Sequence, residues 1–87
     1  MKIKSSYKLR TVAGENMVVN VGNDPDTFNG VIMLNDTGAF LWKLLEKGAE
    51  RDEMIASLIS EYKIDEATAD EAVNNFMESI KNANLCE

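Results

Sequence analysis

The chain has 87 residues, 45% of them hydrophobic and 28% charged, with a formal net charge of −6. That length makes one domain (residues 1–87), which buries only about 60–65% of the surface its unfolded chain exposes and so holds one small core. It has no histidine and a single cysteine, Cys86, which removes the commonest general base, the commonest metal ligand, an internal disulfide and any cysteine cluster for zinc or iron–sulfur.

The charge is uneven. Residues 1–12 carry Lys2, Lys4, Lys8 and Arg10 and no acid, while the remainder carries five bases against fifteen acids. An acidic body disfavours a nucleic-acid duplex, because neutralised phosphates supply most of that affinity. The basic segment reads as a solvated strand edge whose lysines discourage aggregation. No apolar run approaches the roughly 20 residues of a membrane span, and the N-terminus lacks an apolar signal core. The expected location is cytoplasmic, with no membrane partner. Cys86 reads as a bystander thiol on a frayed tail.

In chain order, the first third reads as β. Tyr7, Lys8, Leu9, Arg10, Thr11 and Val12 alternate with period two, as a half-buried strand does. Ala13, Gly14, Glu15 and Asn16 form a turn-like break, and Met17, Val18, Val19, Asn20 and Val21 suit a second strand in a hairpin with the first. Residues 22–27 are dense in turn formers. Phe28, Asn29 and Gly30 lead into a short third strand, Val31, Ile32, Met33 and Leu34.

The remainder reads as α. Asn35 or Asp36 supplies a side-chain oxygen that can cap the first turn of a helix. Phe40, Leu41, Leu44 and Leu45 then share one face, with Trp42 to the side, and Gly48 suits a left-handed stop. A second helix runs from Arg51 to Tyr62 with Met54, Ile55, Leu58, Ile59 and Tyr62 as its stripe. Its start is poorly capped, although Glu50, Asp52 and Glu53 favour the positive end of a helix dipole. A third helix begins at Asp65 and carries the clearest stripe: Ala69, Ala72, Val73, Phe76, Met77, Ile80 and Ala83. Three antiparallel strands followed by three helices predict an α+β domain of winged-helix type. The change of period from 2 to 3.6 across Asn35 marks the joint between the halves.

Nothing in the chain forms a catalytic set. There is no phosphate loop, nucleophile elbow or metal motif, and Glu66, Asp70 and Glu71 read as a solvated helix face. No cofactor is implied. Asp36 and Thr37 read as capping residues. What remains is binding. If the first two strands form a hairpin, the third is an edge, and edges pair readily with an extended peptide.

The run Leu34, Asn35, Asp36, Thr37, Gly38, Ala39, Phe40, Leu41, Trp42, Lys43, Leu44, Leu45 resembles the "LN-x-TG-a-x-(I/L)-(W/L)-x-L-L" core of the PqqD-like family, the peptide-recognition elements of ribosomal, modified-peptide pathways. The ending Ile80, Lys81, Asn82, Ala83, Asn84, Leu85 is similar to that family's closing "L-x-x-x-G-L", with Asn84 in place of Gly. The resemblance covers residues 7–86. It departs at Glu50, where the family often has Thr or Ser, and in the apolar character of the third strand.

The resemblance implies a non-catalytic adaptor that binds the leader segment of a precursor peptide. It would present that peptide to a modifying enzyme, such as a radical S-adenosylmethionine protein. By position, the contacts would be Val31, Ile32, Met33 and Leu34 on the strand and Ala69, Val73, Asn74 and Met77 on the third helix. Leu34, Val73 and Phe76 also read as core. The apolar strand equally suits pairing with a second copy of the chain. The alternatives are a winged-helix DNA-binding regulator, at odds with an acidic second helix, and a structural subunit of an enzyme complex.

Overall fold

The structure, a computed structural model, describes residues 3–4, 6–21, 31–83 and 85–86. The run of turn formers at 22–27, the lead-in at 28–30 and the expected cap at Asn84 lie outside the described residues. Three strands, β1 (Tyr7–Val12), β2 (Glu15–Asn20) and β3 (Val31–Leu34), precede three helices, α1 (Asp36–Glu46), α2 (Arg51–Tyr62) and α3 (Glu66–Asn82). The sheet is antiparallel in the order β1-β2-β3.

The first turn is tighter than the sequence suggests. Val12 pairs with Glu15, so the loop is Ala13 and Gly14 alone, and β2 starts two residues earlier than expected. Both loop residues have positive φ, 53° at Ala13 and 80° at Gly14. Such a turn carries the twist that the flanking strands need. Glycine takes that conformation freely; alanine does so at a steric cost.

Register then sorts the side chains. Leu9, Val18 and Ile32 are cross-strand partners, as are Asn16 and Leu34. Partners share a face, so these residues and Tyr7 turn to the helices, where Tyr7 and Val18 are buried. Val12, Met17, Val19, Val31 and Met33 fall on the opposite face together with Lys8 and Arg10.

Asn35 ends the sheet and begins the helices. Its extended backbone stops α1, and its side-chain oxygen accepts the Gly38 amide at 2.7 Å. A methyl group on Gly38 would lie 3.1 Å from that same oxygen and 3.4 Å from Leu34, so a residue without Cβ leaves the cap undisturbed. On the exposed side, the Thr11 hydroxyl donates to Asn16, and the Asn16 amide donates to Asp36. This chain of bonds ties the hairpin to the start of α1.

At the other end of α1, Gly48 takes φ 88° as expected. Its amide donates to the Leu45 carbonyl, and the Ala49 amide to that of Leu44, the paired bonds of a Schellman stop. The α2 start is better held than the sequence suggests, because the Glu53 carboxylate reaches back to the Glu50 amide at 3.1 Å. Asp65 caps α3 through the Thr68 amide at 2.8 Å. The Thr68 hydroxyl first, and that amide second, hold the Asp65 carboxyl below its ordinary value of 3.8.

The core gathers Leu41, Trp42, Leu45, Met54, Leu58, Ala69, Val73, Phe76 and Ile80 from the helices under Tyr7 and Val18. Trp42 is not at the side of α1 but fully buried. Its indole N–H finds no acceptor among the described residues. Tyr62 stays partly outside and meets Phe40 edge-to-face at 5.6 Å, joining α1 to α2 at a geometry aromatic pairs favour. Residues 85–86 are held against the domain, not frayed as the sequence suggests. Leu85 is buried, its amide donates to the Ile80 carbonyl, and its carbonyl accepts the Lys4 amide. Cys86 bridges Ile3 across an antiparallel pair, and burial pushes its thiol pKa up.

Replacing Ala13 by Asn, which tolerates positive φ, should stabilise the domain by about 0.5–1 kcal/mol in urea unfolding. Asn35→Ala should cost about 1 kcal/mol, and Asn35→Asp should restore most of it. Because folding depresses the Asp65 pKa, its contribution is complete above pH 3.8 and fades as pH falls through the lower folded value. Acid titration by circular dichroism should show this component in the native chain and lack it in Asp65→Asn.

Candidate functional site

The site begins with a backbone phase. A two-residue loop makes Val12 and Glu15 a hydrogen-bonded pair, and bonded and non-bonded pairs alternate from there. The Val21 amide donates to the Ser6 carbonyl at 2.7 Å, which keeps the same phase at the far end of the hairpin. Glu15, Met17 and Val19 therefore turn their backbone groups to β1. Asn16 and Val18 turn theirs to β3, where they meet Leu34 and Ile32. On β3 the amides and carbonyls of Ile32 and Leu34 thus point inward, and those of Val31 and Met33 point out of the sheet. Among the described residues no strand pairs with that outer side.

A groove of about 480 Å³ runs beside this edge. Ile32, Met33 and Leu34 line its sheet side, and Ala72, Asn75, Phe76 and Ser79 of α3 line the other. The start of α1 closes it with Asn35, Thr37, Gly38 and Leu41. The volume exists because residues at the crossing are small: Gly38 has no side chain to put there, and Ala72 and Ser79 have little. No lining residue is charged, and apolar surface sits beside neutral hydrogen-bonding groups. A second depression of about 400 Å³ opens off the same end of β3, between Glu15, Asn16 and Asp36.

The four β3 residues named from sequence lie together on this edge. Ile32, Met33 and Leu34 line the groove; Val31 stands on the opposite face, 54% exposed like Met33. The helix residues named from sequence are not in the groove. Ala69 and Val73 have no exposure at all and are core. Asn74 accepts from the Arg51 guanidinium at 2.7 Å, beside the Arg51–Asp70 ion pair, and so is committed to α2. Met77 packs partly buried against the core.

The reason is rotational. A stripe read from hydrophobicity is centred on the core, whereas the groove lies along the flank of that stripe, more than a quarter-turn away from Asn74 and Met77. Ala72 and Phe76 belonged to the stripe and were readable as helix-face residues; Asn75 and Ser79 carried no apolar signal. Among the described residues no cluster of acids and cysteine could hold a metal, and no helix is long and apolar enough to cross a membrane.

The sequence model of the family described as coenzyme PQQ synthesis protein D (PqqD) matches residues 15–85. No curated protein matches the chain. Among solved structures, one described as TbiB1 in complex with the TbiA(beta) leader peptide is similar over 100% of this chain and 95% of its own, with 23% identity and a TM-score of 0.81. Another, lasso peptide synthetase B1 complexed with the leader peptide, is similar over 98% of this chain and 93% of its own, with 18% identity and a TM-score of 0.76. At such identities the likeness establishes the fold: three antiparallel strands followed by three helices.

Proposed function

The chain belongs to the coenzyme PQQ synthesis protein D (PqqD) family, and from that membership we propose that it is a non-catalytic adaptor for a ribosomal precursor peptide. The leader segment adds as a strand along the outer side of β3. Its backbone bonds to the outward groups of Val31 and Met33, and alternate side chains enter the groove against α3. The adaptor then presents the rest of the precursor, in the cytoplasm, to a modifying enzyme such as a radical S-adenosylmethionine protein.

One observation carries this reading: a strand with outward amides at Val31 and Met33 stands directly beside an uncharged groove. An extended chain needs both. Main-chain bonds give affinity regardless of sequence, and a pocket for alternate side chains gives selectivity. The two similar structures, each a complex with a leader peptide, support the same class of ligand. The edge suits a guest more than β1 does, since Lys8 and Arg10 guard β1 and β3 carries no charge. A second copy of the chain pairing along β3 would compete for the same place.

Proline scanning separates the roles of neighbouring amides. Met33→Pro removes only an outward donor, which an edge strand tolerates. It should weaken leader binding at least about tenfold, equivalent to ~1.4 kcal/mol, while leaving urea unfolding close to that of the native chain. Ile32→Pro removes a donor that faces β2 and should cost about 1–3 kcal/mol of stability. Leader peptide that binds Met33→Pro as tightly as the native chain, by calorimetry, would rule out strand addition at this edge.

A further inference from the structure

We propose that the groove selects an extended peptide whose apolar anchors are flanked by lysine or arginine. This rests on the strand-addition reading above and adds the chemical class of the ligand.

The selection comes from the outer lip of α3. Glu71, Asn75 and Glu78 are spaced i, i+4 and i+7, so they share one stripe of the helix. Asn75 lines the groove, which puts a carboxylate one turn to either side of it along the lip. Glu71 and Glu78 are exposed, and neither takes part in the ion pair found among the described residues. Arg51, the cation nearest to that helix by its bonds, is occupied by Asp70 and Asn74 on the other flank. Lys81, the cation of α3 itself, is nine residues from Ala72, two and a half turns, and so projects away from the groove.

The opposite lip does not offset this charge. β3 has no ionisable side chain, the groove walls are uncharged, and the depression at the strand end adds Glu15 and Asp36. A cleft with low-dielectric walls and one sign of charge at its rim concentrates ligands of the opposite sign. At physiological salt the field reaches about 8 Å, enough for a strand laid between β3 and α3 to feel the lip along its length. The groove therefore attracts cations at the ends of a bound segment, and an acidic segment would be repelled by Glu71 and Glu78 alike.

The test uses a displayed library of random dodecapeptides, panned on the native chain, on Glu71→Lys/Glu78→Lys and on Met33→Pro. Peptides that bind the native chain but not Met33→Pro should carry Lys or Arg beside an apolar run at about twice their starting frequency or more. The double variant, substituted at two exposed positions, should select Asp or Glu there instead. A synthetic peptide from the native selection should lose roughly tenfold in affinity on the double variant and weaken as salt rises. Met33-dependent binders with no charge bias, or an acidic one, would overturn the charge selection and leave strand addition standing. A library that yields no Met33-dependent binder would overturn both.

Discussion

Backbone N–H and C=O groups must find partners or stay in water, and among the described residues β3 has strand partners on one side alone. The sheet order β1-β2-β3 leaves Val31 and Met33 with outward groups, and the short length of β3 keeps the open edge small. Two edges exist in any three-stranded sheet, and the chain treats them differently. On β1, Lys8 and Arg10 alternate with Leu9, a pattern that resists pairing with another sheet. On β3, four apolar residues follow one another without a charge, and a helix flank stands beside them to form the second wall of a groove.

That wall depends on how the strand hands over to the helices. Asn35 accepts the Gly38 amide, which fixes where α1 starts relative to Leu34 and keeps a glycine at the groove's end. Bulk is sent elsewhere. Trp42, Leu41 and Leu45 fill the core from α1, and Met54, Leu58, Val73 and Ile80 fill it from α2 and α3. The small residues Gly38, Ala72 and Ser79 are left at the crossing with β3. Packing and vacancy thus come from the same alternation of large and small residues around the helices. The Trp42 indole fills volume in that small core, and its N–H has no acceptor among the described residues.

The tail contributes to the same stability. Leu85 buries its side chain and exchanges backbone bonds with Ile80 and Lys4, and Cys86 pairs with Ile3. A domain of this size has few apolar residues to spare, so joining residues 3–4 to residues 85–86 over the core recovers surface that α1, α2 and α3 alone would leave open. Charge is distributed around this arrangement with a clear sense. Residues 36–82 hold eleven acids against five bases, and two of those acids lie along the lip of α3.

Local chemistry was enough to place most elements. Period-two alternation marked β1, β-branched residues marked β2, a short apolar run after turn formers marked β3, and 3.6-residue stripes marked α1 and α3. Gly48 and Asp65 were recognisable as caps from residue type alone, and Asn35 as one of two candidates beside Asp36, between which the folded chain chose. The sequence also marked β3 as an edge, since a third strand beside a hairpin of the first two leaves one side open. Three further things were settled only by the folded chain. The two-residue turn at Ala13 and Gly14 set the hydrogen-bonding phase, and so decided that Met33 and not Ile32 points outward. Tertiary packing took Trp42 into the core and drew Asn74 to Arg51. Above all, the rotation of α3 decided which flank faces β3, bringing Ala72, Asn75, Phe76 and Ser79 to the groove. Hydrophobic periodicity reports which side of a helix is buried, but it carries no information about which neighbour stands at the margin of that buried side.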